Sequence, residues 1–137
     1  MKEHAKAAHA AYFFESSSIR SSLFEDMIVN LLSCFDELFV QYKRIRYGKF
    51  YCAVQLIGTR NVAFKYTCEF KLRAANGIEQ INKTLFVTGS SEDFEKILNS
   101  GKCFCLDEAV VRHYFVEIKL NLTITLSPVQ LNVHRII

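Results

Sequence analysis

Residues 63–73, Ala-Phe-Lys-Tyr-Thr-Cys-Glu-Phe-Lys-Leu-Arg, place Phe64, Tyr66, Cys68, Phe70 and Leu72 at every second position, with Lys65, Thr67, Glu69 and Lys71 between them. Successive side chains of an extended chain point to opposite faces, so this spacing predicts a strand with one face in a core and the other in water. The following Ala74-Ala-Asn-Gly77 ends in an Asn-Gly pair suited to positive φ, and Ile78 to Val87 is expected to return as the partner strand.

The same period recurs on both sides of this hairpin. Leu38 to Ile45 and Phe50 to Ile57 read as two strands joined by Arg46-Tyr-Gly-Lys49, and Ile118, Leu120, Leu122, Ile124 and Leu126 share one face of a later strand. Tyr12 to Glu15 and Met27 to Cys34 are two further candidates, separated by the serine-rich stretch Ser16 to Ser22. One helix interrupts the pattern: Ser90 is expected to cap it with Asp93 at the third helical position, Phe94, Ile97 and Leu98 form its apolar stripe, and Asn99-Ser-Gly101 stops it. Cys103 to Leu106 then reads as a short strand, followed by a single turn capped by Asp107 and running through Val111. The expected fold is all-β with one short-to-medium helix, an antiparallel β-sandwich of seven or eight strands.

Composition narrows the function classes. With 137 residues, half of them hydrophobic, the chain has the size of one domain with a single core. No apolar run approaches the ~20 residues that span a bilayer, and the start, Met-Lys-Glu-His-Ala-Lys, is not followed by a signal-like apolar stretch, so an intracellular, cytoplasmic or also nuclear protein is expected. Five cysteines in apolar surroundings read as reduced core thiols rather than a disulfide framework. A net charge of +3 is too mild to suggest nucleic acid, and the basic run Lys43-Arg44-Ile-Arg46-Tyr-Gly-Lys49 is expected to be a solvated hairpin.

Catalytic constellations are not evident in this pattern. His113 lies near Asp107 and Glu108 in sequence, and Cys103 or Cys105 could pair with it, but nothing in the spacing specifies a nucleophile and base. Cys103 and Cys105 fall on one strand face without a second ligand pair for zinc. Gly58-Thr-Arg60 lacks the lysine and spacing of a phosphate loop. Asn82-Lys-Thr84 and Asn121-Leu-Thr123 match the glycosylation triplet but read as strand residues.

Several segments carry a resemblance. Leu32-Ser-Cys-Phe35, Phe50 to Arg60, Phe64 to Phe70, Asn99 to Asp107 and Ile118 to Thr125, in this order and spacing, resemble the C-terminal substrate-binding domain of the seven in absentia (Siah) ubiquitin ligases. The resemblance spans about Tyr12 to Thr125, and Val54-Gln-Leu-Ile-Gly-Thr-Arg60 is its most specific piece. It implies a TRAF-like antiparallel β-sandwich that dimerises and binds protein substrates and adaptors by strand addition. Residues 1–11 would then be the end of a zinc finger with a linker, 12–127 the substrate-binding domain and 128–137 a tail. His4 would be a remnant zinc ligand. Zinc belongs to the family's RING and finger modules, which this sequence does not contain, and no cofactor is expected in this chain.

The family's groove strand usually reads Asp-Trp-x-Met, and here those places hold Met27, Ile28 and Asn30. With Phe14 they form the expected substrate-binding set; Tyr12, Phe14 and Ile28 read equally well as core. Replacing Trp by Ile and Met by Asn predicts weak or altered binding of the family's Pro-x-Ala-x-Val-x-Pro degron. The resemblance implies a non-catalytic recognition module serving ubiquitin-dependent degradation, forming a homodimer or pairing with Siah-type proteins. The alternatives are a fragment of a complete RING ligase, or a RING-less paralogue that regulates full-length Siah.

Overall fold

The computed structural model describes residues 12–22, 24, 28–58, 63, 65–89, 93–115 and 119–129. Among these residues ten strands form two sheets. In chain order they are β1 (Tyr12–Phe14), β2 (Ser18–Ser21), β3 (Ile28–Cys34), β4 (Glu37–Arg46), β5 (Lys49–Leu56), β6 (Tyr66–Arg73), β7 (Gln80–Phe86), β8 (Thr88–Gly89), β9 (Phe104–Asp107) and β10 (Asn121–Pro128). Helix α1 (Phe94–Ser100) precedes β9, and α2 (Glu108–His113) follows it. The first sheet runs β1-β3-β4-β5, with β8 and β9 both on β5; the second runs β2-β10-β6-β7.

The alternation in the sequence becomes the inner faces of this sandwich. Cys68, Phe70 and Leu72 of β6 and Leu122, Ile124 and Leu126 of β10 meet Leu32, Phe39, Phe50, Cys52 and Leu56 of the first sheet in one core cluster. Aromatic contacts tie the sheets together: Phe70 stacks on Phe104 at 5.3 Å, and Tyr66 meets Phe39 edge-on at 5.2 Å and stacks on Phe35 at 5.8 Å. At the margin, Lys83 of edge strand β7 donates to the Cys103 carbonyl at 3.1 Å. Helix α1 covers part of the first sheet's outer face, burying Ile97 and Leu98 with Ala53 and Cys103.

Several expectations are corrected in detail. The count is ten because the serine stretch holds a strand: Ile19 and Ser21 point inward, Ser18 and Arg20 outward, and residues 18–21 pair with β10. Not every pair is antiparallel, since β1 runs parallel to β3 and β8 parallel to β5. The β4–β5 connection is a two-residue turn rather than four, with Tyr47 and Gly48 both at positive φ, the geometry that matches the twist of a hairpin. Strand β6 begins at Tyr66 rather than Ala63, while Ala63 is itself buried. Asp93, not Ser90, caps α1 by accepting from the Glu95 amide, and Gly101 closes it in the left-handed region. Asp107 precedes α2 but makes no side-chain cap bond. Ser90, Phe64, Ile118 and the Phe94 side chain lie outside what is described.

The five cysteines are free thiols; Cys52, Cys68 and Cys103 are buried and Cys34 and Cys105 half-buried, as expected of a reduced core. Asn82 and Asn121 lie in β7 and β10 as expected. No described helix is long and apolar enough to cross a membrane.

Candidate functional site

The site grows out of the way β3, β4 and β5 stack their inward residues. Pairing sets Leu32, Phe39 and Leu56 in one row across the three strands, Asn30, Gln41 and Val54 in the next, and Ile28, Lys43 and Cys52 in the third. The first row is apolar and the other two carry polar groups, all buried. Burying an amide without partners would cost about 1–3 kcal/mol, and here the partners are present. Asn30 Nδ2 donates to Gln41 Oε1, and Gln41 Nε2 donates to the Tyr42 carbonyl at 3.0 Å and to Cys52 Sγ at 2.9 Å.

Above these polar rows the two sheets part. A cleft of about 160 Å³ is lined by Tyr12 and Phe14 of β1, Arg20 and Ser21 of β2, Ser22, Ile28 and Asn30 of β3, and Lys43 of β4. The chain itself shapes it: β1 lies against β3, with Tyr12 opposite Asn30 and Phe14 opposite Leu32, and residues 15–17 then carry the chain across to β2 in the other sheet. The cleft therefore opens where a single chain segment changes sheets.

The structure brings three of the four expected residues, Phe14, Ile28 and Asn30, to this cleft. Met27 lies outside the described residues, as does His4. Ile28 is buried, Phe14 is half-buried against the core, and Tyr12 is 46% exposed, so of the three residues that could read as core only Tyr12 faces mainly outward. Arg20, Ser21, Ser22 and Lys43 were not anticipated. Their signals were present: Ser18 to Ser21 alternates like its neighbours, and Lys43 shares its parity with Phe39 and Gln41. The solvated-hairpin expectation is accordingly corrected at Lys43, which is fully buried, while Arg46 nearer the turn ion-pairs with Glu95 of α1 at 2.6 Å.

Chemically the cleft presents contact groups. The Cys52 thiol beneath it is pushed up to about 12, because burial outweighs the lowering by the Lys43 ammonium and the Gln41 hydrogen bond. Such a thiol stays protonated and is a poor nucleophile near neutrality. His113, near Asp107 and Glu108 in sequence, lies at the surface and faces Glu79 at 3.4 Å, while Glu108 holds Arg112 at 2.8 Å. Among the described residues no group of three or more His, Cys, Asp or Glu side chains could hold a metal ion.

The profile of the family described as Sina, TRAF-like domain matches residues 32–125, well over half of the chain. The chain belongs to this family. No curated protein matches it. The Sina, TRAF-like match begins within β3 and ends within β10, so it takes in the long strands of both sheets and the helices between them. Strands β1 and β2, which supply half of the cleft, lie before the matched span. As a Sina, TRAF-like domain the chain is a protein-binding module, and the cleft offers it a surface with both polar and aromatic groups.

Proposed function

We propose that this Sina, TRAF-like domain recognises substrates or adaptors of ubiquitin-dependent protein degradation by taking an extended protein segment into the cleft between β1, β2 and β3. The observation that carries this reading is the convergence of Phe14, Ile28 and Asn30 in one cleft with Tyr12 and the hydroxyls of Ser21 and Ser22. Extended segments bind by main-chain pairing, with side-chain pockets reading alternate residues. Here the edge of β3 is engaged by β1 from Asn30 to Leu32, so an incoming segment pairs with the outer side of β1 or takes its place. Either route leaves the cleft to receive one side chain between the sheets.

The test is titration of the folded domain with a Pro-x-Ala-x-Val-x-Pro peptide. Ile28 lies against the cleft, so Ile28→Trp extends an aromatic wall into it, and Asn30→Met removes its polar floor. The double variant is expected to bind the peptide roughly tenfold more tightly, since ~1.4 kcal/mol corresponds to one decade. Unchanged affinity in a folded double variant overturns the cleft as the recognition site.

A further inference from the structure

The two sheets treat their outer faces differently. The first sheet is partly covered by α1, whereas the described residues place no helix on the outer face of β2-β10-β6-β7. Register sets which side chains share that open face. Arg20, Thr123, Lys71 and Asn82 form one cross-strand row, Asn121, Arg73 and Gln80 the next, and Lys119 follows the same alternation just before Asn121. Arg20, Arg73 and Lys119 are exposed and Lys71 half-buried. Glu69 is the one acidic residue among the described side chains of this face.

Among the described residues none of the four cationic side chains has a hydrogen-bond or ion-pair partner, unlike Arg46 and Arg112, which the fold pairs with Glu95 and Glu108. Strand geometry fixes their spacing at about 7 Å from Lys71 to Arg73 along β6 and about 10 Å from Arg20 to Lys71 across β10. Alternate residues of an extended chain are also about 7 Å apart, so carboxylates at every second position match this ladder. The residues between the cations are Thr, Asn and Gln, which can hydrogen-bond to a peptide main chain. The two cation-bearing rows hold no aromatic ring, and the exposed ring on this face, Phe86, stands beyond them opposite Thr67, so no nucleic-acid base could stack between the cations.

We propose that the open face of the second sheet, through Arg20, Lys71, Arg73 and Lys119, docks an acidic extended segment of a partner protein. Arg20 also stands at the rim of the cleft, whereas Lys71, Arg73 and Lys119 do not line it, so this surface meets the recognition site proposed above at Arg20 alone.

The test uses the full chain and a fluorescent peptide of alternating Glu and Thr, followed by anisotropy at low and at physiological salt. The peptide is expected to bind, with affinity falling as salt rises. The triple variant Arg20→Gln, Lys71→Gln, Arg73→Gln is expected to weaken binding roughly tenfold. Lys49→Gln, Lys96→Gln, Lys102→Gln removes the same charge from exposed cations elsewhere and is expected to leave binding little changed. Lys119→Glu, placed before β10 begins, provides a second disruption should the first triple variant misfold. No binding, equal losses in the two triple variants, or tighter binding of a single-stranded RNA than of the peptide each overturns the proposal.

Discussion

The rows Leu32–Phe39–Leu56 and Ile28–Lys43–Cys52 lie on one face of the same three strands, yet they make different interiors. At the first, three large apolar side chains are sealed to 1% exposure or less, and Phe39 reaches Tyr66 in the opposite sheet. At the second, and in the Asn30–Gln41 row between them, polar groups are buried just as deeply and the sheets separate into a cleft. The difference teaches that burial alone does not describe a sandwich core. The apolar end holds the sheets together by area and fit, while the polar end remains folded only because each group is satisfied. No buried side-chain nitrogen or oxygen among the described residues lacks a partner.

The sharpest way to break the comparison is to empty each end in turn. Phe39→Ala removes a fully buried ring and its contact with Tyr66, and is expected to lower unfolding stability by about 3–5 kcal/mol in urea titration. A smaller change, under about 1 kcal/mol, would mean that the apolar end is not where the sheets are fastened.

At the polar end the loss depends on what is left behind. Gln41→Leu strands the Asn30 amide and is expected to cost about 1–3 kcal/mol, whereas Asn30→Leu combined with Gln41→Leu removes both partners and should recover most of that loss. Simple addition of the two single effects would show that the amide pair does not act as a unit.

Chemical access and pH probe the same contrast. The unfolded Cys52 thiol ionises near its ordinary value of 9.0, whereas the folded one holds its proton to about 12. The stability this contributes is complete below pH 9.0 and is lost as pH rises from there toward about 12, because the unfolded chain releases the proton first. Burial pushes Cys68 up as well, and Cys103 to about 11, so the decline steepens as these thiols join. At mildly alkaline pH, iodoacetamide is expected to modify Cys34 and Cys105 in the native protein and all five cysteines only after unfolding, read by intact mass. Native modification of Cys52 would show that the cleft opens down to its polar floor.

The smallest expected effect lies at the periphery. Arg46→Ala removes the ion pair that links β4 to α1, whose partners are 31% and 51% exposed. It should cost about 0.2–1 kcal/mol, less at high salt. A larger loss would mean that α1 is fastened by charge rather than by Ile97 and Leu98.

Much of this architecture was legible in local pattern. The period of two in Tyr66 to Arg73 and Leu120 to Leu126 assigns the inward residues correctly, because burial of one sheet face imposes that period directly. Strand β2 was obscured because serine is poor in strand signal, and its pairing with β10 joins residues about a hundred positions apart, which no local window contains. The parallel seat of β1 on β3 is likewise a long-range outcome. For the cleft, the family resemblance pointed to Phe14, Ile28 and Asn30, but Lys43 was missed because a basic run suggests a solvated face. Its inward position follows from parity with Phe39, a signal that outranks charge when the strand is central.

Lys83 has a consequence for how the molecule behaves in a crowd. Apart from β7, the outermost strands among the described residues have two to four residues, too short to template much pairing, whereas β7 offers seven residues whose outer rim pairs with no described strand. Midway along it stands Lys83, turned toward the sandwich interior and held by the Cys103 carbonyl. If two such rims met antiparallel about a two-fold axis through their centres, the two ammonium groups would lie side by side, and like charges directly opposed across strands repel. One inward-turned lysine thus guards the longest open rim against the edge-to-edge stacking that begins fibril growth.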